Sequence, residues 1–273
     1  MHFRQLFLPA ALLAVSLAVV ALSTGWPAHS FEHSQLSNST SRQPVIVELF
    51  TSEGCSSCPP ADSLLKELSE DQSIDGAEII ALEEHVDYWN HLGWADPFSS
   101  PDFSRRQQDY TTTLPDGGVY TPQMIVDGRA QFVGSNSRDA REQIRSAASH
   151  PKPRLLLTPI ASSNPHSRSF ELRPDPANPV PGSSHPELWL AITEADLRSN
   201  VTAGENSGEA LQHAPVVRLL RKLQTVQAPS VAPLRVDFDL RNNWNPNHLT
   251  AVVFLADSRS RRILAAGRFP LAP

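Results

Sequence analysis

The sequence predicts an α/β domain over residues 44–150 followed by a mainly β, sandwich-like domain over residues 151–273. Three observations predict it. Helical periodicity is confined to the first part, strand-like alternation recurs through the second, and most of the 24 prolines fall after residue 150, where they separate short strands. Hydrophobic residues make up 40% of the chain and charged residues 19%, the balance of a globular protein that can bury a core.

Residues 45–50 are β-branched and apolar and read as the first strand. Ala61, Leu64, Leu65 and Leu68 then recur at i, i+3, i+4 and i+7, one face of a helix. Pro59 pushes Cys58 away from helical geometry and Pro60 suits a first turn, so this helix is expected to begin at Cys58 or Pro59 rather than Cys55. A second strand covers residues 78–82. Residues 83–118 form an inserted segment with His85, Tyr88, Trp89, His91, Trp94 and Phe98; it either lines a groove or makes a small core of its own. Within it a helix starts at Pro101 behind a Ser100 cap. A short strand after Pro122 turns at Asp127-Gly128 into Phe132-Val133, and a helix follows from about Ser137, with Ala140, Ile144 and Ala147 on one face.

Beyond residue 151, strands are read over 155–160, 170–173, 188–193, 234–240, 249–255 and 263–269, with 211–223 either strand or helix. Leu234, Val236, Phe238 and Leu240 alternate with Arg235, Asp237 and Asp239, which gives one buried and one wet face.

Residues 1–30 read as a secretory signal peptide: a basic start at His2 and Arg4, an apolar run from Leu6 to Leu22, and small-x-small cleavage patterns such as Ala28-His29-Ser30. Residues 31–43 read as a disordered linker. The protein is therefore expected in the periplasm or the medium. The formal net charge is −6 and no basic run occurs, so nucleic acid is not an expected partner. No segment after the signal is apolar enough for a membrane span, so no membrane association is expected after cleavage.

The only two cysteines form the motif Cys55-Ser56-Ser57-Cys58. A disulfide here would be a weak staple, since chain-entropy stabilisation is about 2 kcal/mol for so short a loop against about 4.7 kcal/mol for a hundred-residue one. A haem site needs His where Pro59 stands. Copper or zinc held by Cys55, Cys58 and His85 is one alternative, and a non-enzymatic binding module with a structural disulfide is another. The third is thiol–disulfide exchange with protein thiols or disulfides, which needs no cofactor; the motif falls where a strand hands over to a helix N-terminus, whose dipole favours a thiolate.

The order strand, Cys-x-x-Cys, helix, strand, insertion, Thr-Pro, hairpin and helix resembles the thioredoxin-like superfamily. The stretch from Glu48 through Gly54, Cys55 and Cys58 to Asp62 is similar to secreted bacterial proteins known as domain of unknown function 1223. So are His85-Val86-Asp87-Tyr88-Trp89, Arg106-Gln107, Val119-Tyr120-Thr121-Pro122-Gln123 and the region from Gly204 to Arg218. The resemblance covers about residues 44–269. It implies a cis Thr121-Pro122 bond facing the cysteine pair, where an ordinary trans turn is the alternative. It also implies that Glu48 is a buried proton relay, where an outward-pointing carboxylate is the alternative. The catalytic set it implies is Cys55, Cys58, Thr121, Pro122 and Glu48, in an extracytoplasmic thiol–disulfide oxidoreductase-like protein.

Overall fold

The first strand, β1 (Gln43–Thr51), is buried along almost its whole length, as its run of Val45, Ile46, Val47, Leu49 and Phe50 requires. In the computed structural model it is followed by α1 (Pro59–Asp71) and β2 (Ala77–His85), which returns parallel to β1. Then come α2 (Pro101–Thr111), β3 (Gln123–Val126), β4 (Ala130–Val133) and α3 (Ser137–Ala148). The remaining elements are strands: β5 (Leu155–Ile160), β6 (Ser167–Pro174), β7 (Pro186–Glu194), β8 (Arg198–Asn200), β9 (Ala210–Gln212), β10 (Val216–Thr225), β11 (Leu234–Asp239), β12 (Leu249–Asp257) and β13 (Ile263–Pro270). The structure describes residues 42–115, 118–164, 166–176, 186–225 and 233–272, all within one compact unit. The predicted signal peptide and residues 31–41 of the predicted linker lie outside them. Among the described residues no helix is long and apolar enough to cross a membrane.

The helix starts follow local chemistry. Cys58 is the N-cap of α1 with Pro59 and Pro60 in the first turn, Ser100 caps α2 by accepting from the Asp102 amide, and Asn136 caps α3 by accepting from the Asp139 amide.

An α/β thioredoxin-like domain with a separate β-sandwich-like domain is not what the chain forms. One mixed sheet of eight strands, in the order β13-β12-β7-β10-β2-β1-β3-β4, runs continuously across residue 150. The physical reason is the outer edge of β2. Val216 of β10 pairs with Glu83 there, and the Glu83 amide donates to the Pro215 carbonyl at 3.1 Å, so the sheet does not end at β2. Apart from the parallel contacts of β2 with β1 and β10, the pairings of this sheet are antiparallel. Among the described residues three α-helices accompany it, so β structure dominates.

Alternation along β1 divides the core. Val45, Val47 and Leu49 face α1 and α3 with Leu65, Leu68 and Ile144. Ile46 meets Ile80, Leu82, Phe103, Val217 and Phe254 on the other side, in a core shared by both halves of the chain. A three-stranded sheet, β11-β6-β5, supplies Phe170, Leu172 and Val236 to a further core with Leu190, Val253 and Ala265.

Candidate functional site

The cysteines lie between β1 and α1. Cys55 and Cys58 form a disulfide across the turn, and both residues are buried, while Ser56 and Ser57 between them are exposed. The Ser57 hydroxyl lies 3.4 Å from Cys55 Sγ. Amides of the helix's first turn point back at the turn: those of Ala61 and Asp62 donate to the Cys58 carbonyl at 2.8 and 3.2 Å.

The loop between β8 and β9 reaches the same turn. Asn206 Nδ2 donates to the carbonyls of Glu53 and Cys55 at 2.8 and 3.0 Å, and Glu205 accepts from the Ser56 amide at 3.0 Å. Hydrogen bonds from the Ser56 hydroxyl and from this amide hold the Glu205 carboxyl below its usual range. Gly204 has φ +76, and a Cβ there would lie 3.1 Å from Trp94 Cβ, so glycine both permits the backbone and lets this loop approach the segment after Leu92.

Thr121-Pro122 is cis. Trp89 connects it to the cysteine turn: its indole donates to Thr121 Oγ1 at 2.9 Å, and its Cβ lies 3.3 Å from where a Cβ on Gly54 would sit. Tyr88 and Trp89 otherwise pack on a small core of Phe50, Val86, Tyr110, Leu114 and Ile125.

Below the turn lies a buried network. Because β2 alternates, Glu83 and His85 share a face, and His213 arrives from the segment before β10. His85 Nδ1 is 2.7 Å from Asp96 Oδ2 and its Nε2 is 2.9 Å from Glu83 Oε1. His213 Nδ1 is 3.0 Å from the same Glu83 oxygen, and its Nε2 is 3.1 Å from Glu53 Oε1. Burial by itself would lower both histidines, but the carboxylates prevail: Asp96 and Glu83 hold His85 well above its usual value, and Glu53 and Glu83 raise His213 to about 9. Burial works against the ionised Glu83 and Asp96, yet their imidazole partners keep both below the usual range. Asp62, in the first turn of α1, is pushed up to about 8 by burial and by the Glu83 charge, and it accepts from Thr51 Oγ1 at 2.6 Å.

These shifts give the metal-free protein a definite pH dependence. His213 binds its proton more tightly when folded, so its stabilisation is complete below about pH 6.5 and is lost as pH rises through about 9. Asp62 acts in the same direction, because from about 3.8 up to about 8 the folded chain keeps a proton that the unfolded chain has released. Stability should fall between pH 6.5 and pH 10, with His213 alone contributing on the order of 3 kcal/mol. Urea denaturation across that range checks it; a midpoint that stays level or rises contradicts it.

Glu48 is buried, but with Ile46 and Phe50 on the face of β1 turned away from α1. It is bound there by Arg106 and Tyr110 of α2. The structure therefore brings Cys55, Cys58, Thr121 and Pro122 into one neighbourhood and places Glu48 across the sheet from it. Cys55, Cys58 and His85 are not assembled as one ligand set, because the sulfurs are bonded to each other and both nitrogens of His85 face carboxylates. Glu53, Asp62, Asn206 and His213 lie in the stretches that carry the family resemblance, but the sequence reading assigned them no role, and it did not single out Asp96. The spacing of Glu83 and His85 on a strand was one available signal, and the place of His213 in the Gly204–Arg218 stretch was another; with 130 positions between Glu83 and His213, nothing local joined the two.

Among curated proteins none matches this chain. Among solved structures, protein AGR_C_4864 from Agrobacterium tumefaciens is similar over 84% of this chain and 94% of its own, at 24% identity and a TM-score of 0.61, a likeness of fold. A domain of the outer membrane lipoprotein Omp28 from Porphyromonas gingivalis covers 45% of this chain and 92% of its own, at 5% identity and a TM-score of 0.26, too low to inform the fold. The family model described as Protein of unknown function (DUF1223) matches residues 46–256, and the chain belongs to that family.

Proposed function

We propose that the protein works outside the cytoplasm in thiol–disulfide exchange with protein thiols, through Cys55 and Cys58. The observation that carries this reading is the buried disulfide closed at the N-terminus of α1, where Cys58 is the N-cap residue, with the Ser57 hydroxyl 3.4 Å from Cys55 Sγ. A helix N-terminus stabilises a thiolate, and so does a hydroxyl donor. The apolar leader in the sequence and a disulfide, which persists in oxidising compartments, support export.

In the exchange, a substrate thiolate attacks Cys55 and the Cys55–Cys58 bond breaks. The electron pair leaves on Cys58, which takes up a proton. A second substrate thiolate then attacks its own sulfur in the mixed disulfide and releases Cys55. The substrate leaves oxidised by two electrons and the pair is reduced by two. Both cysteines are buried, so attack requires the turn to open, and the Asn206 bonds to the Glu53 and Cys55 carbonyls brace that turn.

The expected result is reduction of the pair by a dithiol peptide, accumulation of a mixed disulfide on Cys55 when Cys58→Ser is offered the same peptide in its disulfide form, and at least tenfold faster reduction in Asn206→Ala. A reduction potential below about −300 mV, with no mixed disulfide trapped, would identify a purely structural bond and sink the proposal.

A further inference from the structure

One buried cluster is left over by the exchange chemistry. Glu83, His85 and His213 are all buried, and each offers a ligand atom within 4.8 Å of the others. His85 Nε2 and His213 Nδ1 lie 2.9 and 3.0 Å from the same oxygen of Glu83. An ion about 2.0–2.2 Å from nitrogen and oxygen donors sets tetrahedral donor pairs about 3.3 Å apart. Spreading by a few tenths of an ångström would admit it.

Each imidazole is already oriented from its far side. Asp96 holds His85 Nδ1 at 2.7 Å, and Glu53 holds His213 Nε2 at 3.1 Å. A carboxylate on the far nitrogen is how metal-binding histidines have their tautomer and ring direction fixed. These carboxylates are themselves pinned: Asp96 accepts from the amides of Glu53 and Phe98 at 2.8 and 2.9 Å, and Glu53 accepts from the Trp94 indole at 2.7 Å. Phe98 packs its ring against both imidazoles and supplies an apolar wall.

An independent observation points to a ligand. Glu83 Oε2 is buried with no hydrogen-bond partner, so the central carboxylate has unused lone pairs. Among the described residues, the ion pairs of Glu53, Glu83 and Asp96 are with the two histidines, with neither Lys nor Arg among them. Three carboxylates around two imidazoles suit a divalent cation.

The geometry points to a divalent metal site of the zinc class, ligated by Glu83, His85 and His213, with Asp96 and Glu53 as positioning residues. It uses neither cysteine and does not rest on the exchange reaction above.

The test is calorimetric titration of the chelator-treated full chain with Zn²⁺, with Co²⁺ as a spectroscopic probe. One equivalent of Zn²⁺ should bind, and Co²⁺ should give the visible absorption of a four-coordinate nitrogen–oxygen site. Asp96→Asn should weaken binding about 10- to 100-fold, His213→Gln by more, and Cys55→Ser with Cys58→Ser should leave it unchanged. Should His213→Gln fail to fold, Asp96→Asn carries the test. Absence of binding at millimolar metal overturns the proposal. So does binding that survives Asp96→Asn undiminished, or that vanishes in the cysteine variant.

Discussion

Replacing Arg106 by methionine should destabilise the protein by about 3–5 kcal/mol, the range for removing one partner of a buried ion pair. Arg106 projects from α2 into the core and is itself buried. It pairs with Glu48 and stands 3.6 Å from Glu84, both fully buried. Its guanidinium lies 5.5, 5.3 and 5.2 Å from the ring centres of Tyr110, Trp189 and Phe254. Burial and the Glu48 carboxylate hold the Glu84 carboxyl well above its usual range, which leaves Glu48 as the principal partner of Arg106. Methionine keeps most of the stem and the packing, so the loss isolates the uncompensated Glu48 charge. Lysine should not rescue it, since Arg106 uses Nε on Glu48 and Nη2 on the Tyr110 hydroxyl at once. Urea denaturation of Arg106→Met, Glu48→Gln and the double variant checks this. The double variant should be less destabilised than the sum of the singles; strict additivity would show that the two side chains do not interact.

The second large effect is steric. Gly267 lies in β13 where that strand crosses β5, beside the bridge between Arg154 and Ala266. A Cβ on Gly267 would lie 1.8 Å from the Leu155 carbonyl oxygen, which is backbone and cannot swing aside. Gly267→Ala must therefore push the three-stranded sheet away from β13 and loosen the core between them, at about 3 kcal/mol or more, the upper end of overpacking costs. Gly118→Ala is the control: a Cβ there meets nothing within 4 Å, and the change should stay within about 0.5 kcal/mol. Equal unfolding midpoints for the two variants would refute the crossing as a constraint.

Much of the local structure was legible. The apolar repeat of Ala61, Leu64, Leu65 and Leu68 marked the buried face of α1, and Pro59 marked its start. The Ser100-Pro101 pair marked α2, and alternation from Leu234 marked β11. These are statements about neighbours in sequence, where propensity and periodicity act. The class was not legible, because it depends on which strand takes the outer edge of β2. That choice joins Glu83 to Val216, and no local pattern encodes it. The ambiguity of residues 211–223 was the same fact in miniature: Val216–Thr225 is strand because Glu194 and its neighbours on β7 pair with it. Glu48 shows the limit at a site. Its sequence left a buried and an outward-pointing carboxylate both open, and the parity that buries it against Arg106 rather than toward the cysteines emerges only once both faces of β1 are covered.

The seam between β2 and β10 has a consequence for how such chains are inherited. A break near residue 150 would separate Glu83 and His85 from His213 and would strip the cysteine turn of Asn206. Recombination or fusion at that point would transmit half a sheet and half of each cluster. Each half would carry an unpaired edge at β2 or β10 and an incomplete cluster beside it.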